Sequence, residues 1–166
     1  VFAVYPFTPQ QSISDAIIRA AAVPVFTGIG GGITKGLRSV RLAKDAESQG
    51  AFGVVLNAPT SNRDLKLVAT SIDIPVVITV TSEKSDIRDR LRHGASIINI
   101  AAGERTPDIV RMIDAKYPDV PIIASGGNTP ESIRETIRAG ANAITYTPPT
   151  TKELFVDVME QYREKY

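Results

Sequence analysis

Short apolar runs alternate with amphipathic stretches along the whole chain. The runs are rich in Val and Ile and are bounded by Gly, Pro or polar residues, which is typical of buried parallel strands. The stretches between them repeat apolar residues every three or four positions, as in Leu65 and Val68, and this predicts helices with one buried face. Strict alternation with short connections predicts a parallel sheet with right-handed crossovers. The predicted strands are 1–5, 23–27, 52–57, 74–80, 96–100, 121–124 and 142–147.

Polar residues mark where several helices begin. Residues 129–131, Thr-Pro-Glu, combine a threonine cap, a proline at the first helical position and an acid in the first turn. Residues 12–15 have the spacing of a capping box, and either Ser82 or Ser85 is predicted to cap the helix that ends at His93. The remaining predicted helices are 38–49, 59–71, 106–117 and a last helix that starts after Thr150 or Thr151. Residues 28–36 are predicted to form a glycine-rich loop.

An internal repeat extends this pattern to the whole chain. Three predicted strands begin with an aliphatic residue and proline, and three others follow a helix-ending Gly-Ala pair, with about 45 to 50 residues between successive strands of one kind. The pairs are Val23-Pro24, Ile74-Pro75, Val120-Pro121, Gly50-Ala51, Gly94-Ala95 and Gly140-Ala141. The repeat predicts one α/β domain over residues 1–166, a (β/α)₈ TIM-type barrel that lacks its first strand and helix. The alternative is a chain of seven strands, in an open doubly wound sheet or an incomplete barrel.

Composition narrows the function classes. The chain has 19 basic and 18 acidic residues, so its charge gives no reason to expect a nucleic acid or an anionic membrane as partner. It has no cysteine, which excludes disulfides, thiolate metal sites and a cysteine nucleophile. No apolar run is long enough to cross a bilayer, so a cytoplasmic protein is expected. No strand end carries a pair of aspartates, so neither a metal nor a cofactor is expected.

The stretch from Ser125 to Thr147 resembles the region of strands seven and eight in the phosphate-binding (ribulose-phosphate-binding) TIM barrels, a group of epimerases, synthases and aldolases. The shared pattern is Ile-Ala-Ser-Gly-Gly, a capped helix and then Ala-Gly-Ala-Asn-Ala-Ile. The resemblance implies a phosphate held by backbone N–H groups of Gly126, Gly127 and Asn128, next to Ser125. The chain departs from the family after the last strand, where prolines 148 and 149 remove two donors. Thr150 and Thr151 could still donate hydrogen bonds to a phosphate there, from their hydroxyls and from N–H groups at the helix start.

Other candidate residues follow the strands, because active sites of such barrels lie at the carboxyl ends of the strands. Lys35 in the glycine-rich loop is a candidate for closing over an anionic ligand, or else a solvated lysine. Asn57 and Asn99 end two strands of one kind and could orient a ligand, or else bond their own turns. Glu104 is the best candidate acid or base, or else only favours the next helix start. His93, the only histidine, is interpreted as structural.

These residues predict an enzyme that acts on a small phosphorylated metabolite by isomerisation, epimerisation or carbon–carbon lyase chemistry. Two alternatives stay open, a non-catalytic ligand-binding or regulatory barrel and a metal-independent hydrolase. The scarcity of charged groups at the strand ends favours the first alternative. An incomplete barrel would expose sheet edges and apolar surface, so a homo-oligomer is also expected.

Overall fold

The computed structural model describes residues 1–4, 8–125, 127, 129–147 and 150–165, with only the backbone of Leu154 and Asp157. Strands and helices alternate from one end of the chain to the other. The strands are β1 Phe2–Ala3, β2 Phe26–Gly30, β3 Gly53–Leu56, β4 Val76–Val80, β5 Ile97–Ile100, β6 Ile122–Ser125 and β7 Ala143–Thr145. The helices are α1 Gln11–Ala20, α2 Leu37–Ser48, α3 Asn62–Ala69, α4 Ile87–Arg92, α5 Thr106–Lys116, α6 Pro130–Arg138 and α7 Thr151–Lys165, and a 3-10 turn, Gly103–Arg105, precedes α5.

The strands form one parallel sheet in the order of the sequence. Each strand pairs with the next, from β1 to β7. A doubly wound sheet would instead reverse its strand order partway across. The sequential order is that of an α/β barrel of the TIM type with one strand fewer than eight, so the predicted fold class is confirmed and the doubly wound alternative is wrong.

The core lies between the sheet and the helices around it. Every second strand residue belongs to this layer, and Leu56, Ile78, Ile98 and Ile100 are completely buried in it. The residues between them therefore face the interior of the barrel, because side chains alternate across a strand. This alternation determines which side chains can form a site.

Aromatic rings occupy the amino-terminal end of the barrel interior. The Phe26 ring lies 5.5 Å from that of Phe2 and 5.3 Å from that of Phe52, measured between centroids. It covers Gly53, where a Cβ atom would come within 2.8 Å of the Phe26 ring. The small residue on β3 thus makes room for a large one on β2 at this end of the barrel, and the carboxyl ends of the strands lie at the other end.

Two predicted helix starts are wrong. Helix α4 is capped by Asp86, whose carboxylate accepts a hydrogen bond from the Asp89 N–H (3.0 Å), and not by Ser82 or Ser85. Ser82 instead accepts from the N–H of Lys84 within a turn (3.2 Å). Helix α1 begins one residue before Ser12 and has no side-chain cap, so residues 12–15 do not form a capping box. Several cap-forming residues compete within a few positions, and tertiary packing selects among them.

The glycine-rich loop after β2 is shorter than predicted. Strand β2 begins at Phe26 and continues to Gly30, so that only residues 31–36 form the loop. The pairing of β2 with β3 shifts register between Gly28 and Gly30, as in a β-bulge. Glycines have low strand propensity, and this extension of the strand depends on pairing with the buried residues of β3.

His93 lies at the end of a helix, as predicted. His93 forms the carboxyl cap of α4, and its Nδ1 lies 2.7 Å from the backbone oxygen of Asp89, in agreement with a structural role. Among the described residues, no helix is long and apolar enough to cross a membrane.

Candidate functional site

A continuous row of hydrogen-bonded polar side chains crosses four neighbouring strands inside the barrel. The Asn99 amide donates to the Thr79 hydroxyl (3.2 Å), and the Ser125 hydroxyl donates to Asn99 Oδ1 (2.9 Å). The hydroxyls of Ser125 and Thr145 are 2.8 Å apart. Because Ser125 has one hydrogen and gives it to Asn99, Thr145 must be the donor to Ser125. We call Thr79, Asn99, Ser125 and Thr145 the polar row.

Strand alternation explains why these four side chains meet. Ile98 and Ile100 pack against the helices, so Asn99 between them faces the interior. Thr79 lies in the same way between Ile78 and Val80 on β4. Asn99 is 4% exposed and Thr79 9%; Asn99 bonds to both Thr79 and Ser125, and Thr79 accepts from Asn99. The structure thus brings together Asn99 and Ser125, two of the predicted ligand residues, and adds Thr79 and Thr145.

Beyond Ser125, the chain turns toward α6 through Gly127. Gly127 has a φ of +97°, and a Cβ atom there would lie 2.7 Å from the Ser132 hydroxyl, so this position requires glycine. The predicted phosphate ligands Gly126 and Asn128, and prolines 148 and 149, lie outside the described residues. Among the three glycine-turn residues of the prediction, only Gly127 therefore has a described position, between the polar row and the start of α6.

At the start of α6, side chains of the helix itself already accept from two of the backbone N–H groups. Thr129 Oγ1 accepts from the Ser132 N–H (3.2 Å), and Ser132 Oγ accepts from the Thr129 N–H (3.4 Å). This capping box confirms the predicted helix start at Thr129, with Ser132 as the reciprocal partner. Pro130 has no N–H group. An anion at this turn would therefore depend on the amides of Gly127 and Glu131 more than on the rest of the helix end.

Asn57 lies at the carboxyl end of β3, next to the strand that carries Thr79 of the polar row. It lines a pocket of about 250 Å³ together with Val4, Thr8 and residues of the glycine-rich loop. The loop packs closely on it, because the Asn57 N–H donates to the Gly30 oxygen (2.9 Å) and a Cβ atom on Gly31 would lie 2.7 Å from the Asn57 Cβ. The prediction that Asn57 faces the mouth agrees with this position.

The loop after Asn57 is held from outside by α4. The Arg90 guanidinium donates to the backbone oxygen of Thr60 (2.6 Å) and to Asn62 Oδ1 (2.6 Å). Asn62 in turn donates to the carboxylate of Asp89. No sequence motif indicated this contact, since Arg90 and Thr60 are 30 residues apart.

Lys35 and Glu104 are both exposed, and neither enters the polar row. Lys35 lines a separate cleft between α2 and α3, on the other side of Gly31 and Gly32 from Asn57. Glu104 lies on the 3-10 turn after β5, next to Arg105, which pairs with Glu83 (3.0 Å). Their roles in ligand binding and catalysis remain predictions.

Thr150 forms the start of α7. Its N–H and its hydroxyl both donate to the Glu153 carboxylate (2.6 and 2.7 Å), and its hydroxyl oxygen accepts from the Glu153 N–H (3.3 Å). These hydrogen bonds lower the pKa of Glu153. The groups of Thr150 that were predicted to bind phosphate are therefore already engaged with its own helix.

Among the described residues, no group of three or more histidines, cysteines or acids is placed to hold a metal ion. The polar row itself consists of hydroxyls and an amide, which titrate outside the physiological range. Such a row can orient a ligand by hydrogen bonds, while proton transfer would need a group from the rim such as Glu104 or Lys35.

The fold and the position of the polar row define an α/β barrel with polar side chains in its interior, and comparison with known proteins agrees with this class of fold. No family model matches the chain. Over 103 residues the chain is 31% identical to inosine-5'-monophosphate dehydrogenase from Chlorobaculum tepidum, a match that covers 61% of this chain and 17% of that protein. The chain thus spans about a sixth of the length of this curated relative.

Solved structures of similar fold have several different activities. The chain superimposes on 2,3-dimethylmalate lyase with a TM-score of 0.67 and 15% identity, over 93% of this chain and 64% of the other. N-acetylneuraminate lyase from Mycoplasma synoviae gives a TM-score of 0.66 and 14% identity, over 82% and 50%. Mandelate oxidase gives a TM-score of 0.64 and 16% identity, over 87% of this chain and 64% of the other. At these identities the similarity shows the barrel fold alone.

Proposed function

We propose that this barrel is the core of an enzyme that acts on a small phosphorylated metabolite, by isomerisation, epimerisation or carbon–carbon lyase chemistry of the aldolase type. The observation that carries the proposal is the polar row, in which Ser125 lies two residues before Gly127 and close to the start of α6. In this proposal, the turn holds the phosphate and the row orients the rest of the molecule. Lys35, Asn57 and Glu104 complete the site from the rim.

The comparisons support the proposal in two ways. Two of the three solved structures described above are lyases by name, and the curated relative is named for a nucleoside monophosphate, a phosphorylated metabolite. The location also fits, because active sites of such barrels lie at the carboxyl ends of the strands.

Each residue has a defined chemical part in this proposal. The Gly127 amide and the first turn of α6 would face the phosphate, since free backbone N–H groups at a helix start favour an anion. Asn99 and Ser125 would exchange hydrogen bonds with hydroxyl or carbonyl groups of the ligand. Glu104 would transfer a proton at the mouth, and Lys35 would neutralise charge that develops on the ligand.

A panel of thermal melts tests the phosphate part of the proposal. A phosphorylated sugar or nucleotide that binds only the folded chain, at a hundred times its dissociation constant, stabilises by about 2.7 kcal/mol and would raise the midpoint by about 5 to 10 °C for a chain of this size. The variants Gly127→Asp and Gly127→Asn form a matched pair, because both place a side chain at the same positive φ and only one adds charge.

We expect Gly127→Asp to lose the phosphate-dependent rise and Gly127→Asn to keep part of it. An equal rise in the wild type and in Gly127→Asp would contradict a phosphate at this turn. Compounds that pass this test are then assayed for turnover, with Glu104→Gln as the variant expected to lose activity.

A second candidate function is a non-catalytic ligand-binding or regulatory barrel. It is favoured by the polar row, which, within the described part of the chain, brings four non-ionising side chains together and no acid or base. Saturable binding of a phosphorylated compound without any turnover, and without effect of Glu104→Gln on binding, would support this candidate over the enzyme.

A further inference from the structure

An open cleft of about 740 Å³ lies between the starts of α2 and α3, outside the mouth pocket that contains Asn57. Gly31, Gly32 and Thr34 line both spaces, so the glycine-rich loop is the wall between them. The proposed function above uses Lys35 from this cleft but assigns no phosphate to the cleft itself.

The start of α2 supplies unused donors to the cleft. This helix of 12 residues begins after Gly36, which offers no side-chain cap, and its first turn has no acid. The first backbone N–H with an acceptor is that of Val40, which bonds to the Gly36 oxygen (3.2 Å). The N–H groups of residues 37–39 have no acceptor among the described residues, as expected for an uncapped helix start, where the macrodipole favours an anion.

The Thr60 side chain is a second and independent sign of a ligand. Thr60 lines the cleft and is 5% exposed, and its hydroxyl has no hydrogen-bond partner in the described part of the chain. The hydroxyl faces Gly31, where a Cβ atom would lie 2.8 Å away, at the wall of the cleft. A buried hydroxyl without a partner is costly, so this position calls for a group that bonds to it.

The charges along the cleft favour an anion. Lys35 and Arg63 line it, against one acid, Asp64. Neither basic side chain takes part in an ion pair with the described residues. Asp64 lies in the capped first turn of α3, where its N–H donates to Ser61 Oγ (3.1 Å). The cleft thus has a net positive charge together with the unused N–H groups of α2.

We propose that this cleft binds a phosphate group through the first-turn amides of α2, the Lys35 ammonium and the Thr60 hydroxyl. The site is distinct from the proposed phosphate site after β6 and stands without it. Strands β2 and β6 lie four strands apart in the sheet, so the two sites belong to well-separated strands.

An NMR titration of the ¹⁵N-labelled chain with inorganic phosphate, at ionic strength held constant with chloride, tests this site directly. We expect saturable shifts of the amide signals of residues 36–39 and of Thr60. Lys35→Ala should weaken the fitted dissociation constant about threefold to tenfold, the range for one charged contact to an anion. Thr60→Val, which keeps the shape of the side chain and removes its hydroxyl, should weaken it as well.

Lys44→Ala is the matched control, because Lys44 is an exposed lysine on the same helix that does not line the cleft. The dissociation constant of the Lys44→Ala variant for phosphate should equal that of the wild type. Shifts that do not saturate, or that persist unchanged in both Lys35→Ala and Thr60→Val, would overturn the proposal. Because Lys35 is exposed, its variant is expected to fold, and a wild-type pattern of the other signals verifies this.

The same titration separates the two proposed sites. Saturable shifts confined to Gly127 and Ser132 would overturn the cleft site and support the site after β6. Shifts confined to residues 36–39 and Thr60 would support the cleft and count against the phosphate part of the proposed function. If neither region shifts saturably, both proposals are wrong.

Discussion

The polar row shows how single residues acquire a role from their neighbours. Asn99 uses both ends of its amide, one as a donor to Thr79 and one as an acceptor from Ser125. An aspartate could accept at both ends but would place a charge in a buried site, and a leucine would satisfy neither partner. The amide is therefore the side chain that completes the row without a charge.

We predict that Asn99→Ala lowers the free energy of unfolding by about 1–3 kcal/mol, because it leaves buried partners of the amide without their hydrogen bonds. Urea denaturation measures the change. Ser96→Ala is the control, since Ser96 is exposed near the start of the same strand, and it should alter stability by less than about 0.5 kcal/mol. A change of similar small size in Asn99→Ala would show that the row contributes little to stability.

At the scale of the element, each helix start depends on local capping chemistry that has consequences for ligand binding. Helix α6 has a capping box, α7 is capped by Thr150 and Glu153, and α2 has no side-chain cap. The capped starts have fewer backbone donors to offer an anion than an uncapped start such as that of α2. Every helix follows a strand, but the number of free backbone N–H groups that its start can offer to an anion differs from helix to helix.

The start of α7 should respond to pH through Glu153. Its hydrogen bonds from Thr150 lower its pKa in the folded helix, so the stabilisation is present above the ordinary pKa of 4.5 and is lost as the pH falls through the lowered folded value. We predict that the Glu153 carboxyl titrates below 4.5 in an NMR pH titration, and that the first turn of α7 frays on further acidification.

Glu153→Gln is the control for this titration, since it keeps an acceptor for Thr150 and removes the titrating group. The fraying of α7 between pH 4.5 and lower values should then disappear, as followed by the amide signals of its first turn. A carboxyl of Glu153 that titrates at or above 4.5 would contradict the hydrogen bonds from Thr150.

At the scale of the whole molecule, the barrel leaves apolar surface uncovered. The sheet ends at β1 and β7, with Val1, Val4 and Ala143 exposed. Helix α7 exposes Phe155, which is 64% exposed, and Val158, which is 61% exposed and lies one turn further on the same face. Exposed apolar side chains on neighbouring turns of one helix, such as Phe155 and Val158, are a candidate interaction surface.

We predict that the chain self-associates, and that Phe155→Glu shifts it toward the monomer. Sedimentation velocity over a range of protein concentrations measures the shift. Met112→Glu is the control, because Met112 is an apolar residue on α5 that is 42% exposed. A wild-type chain that sediments as a monomer at every concentration would show that the exposed apolar surface is tolerated.

The sequence by itself determined the type and order of the elements and the class of fold. Hydrophobic periodicity, Gly-Ala and aliphatic-Pro pairs and the Thr129 cap are local signals, and each follows from the conformational preferences of a few adjacent residues. The alternation of strand and helix then restricted the topology to a parallel sheet, because crossover connections allow few others.

Only the tertiary structure decided which polar residues meet. Asn99 and Ser125 are 26 residues apart, and their contact depends on the pairing register of β5 with β6, which no local pattern contains. The same is true of Arg90 and Thr60, and of the Gly31–Gly32 wall that separates Lys35 from Asn57. Local preferences specify elements, whereas the site depends on the register and packing that bring distant residues to one end of the barrel.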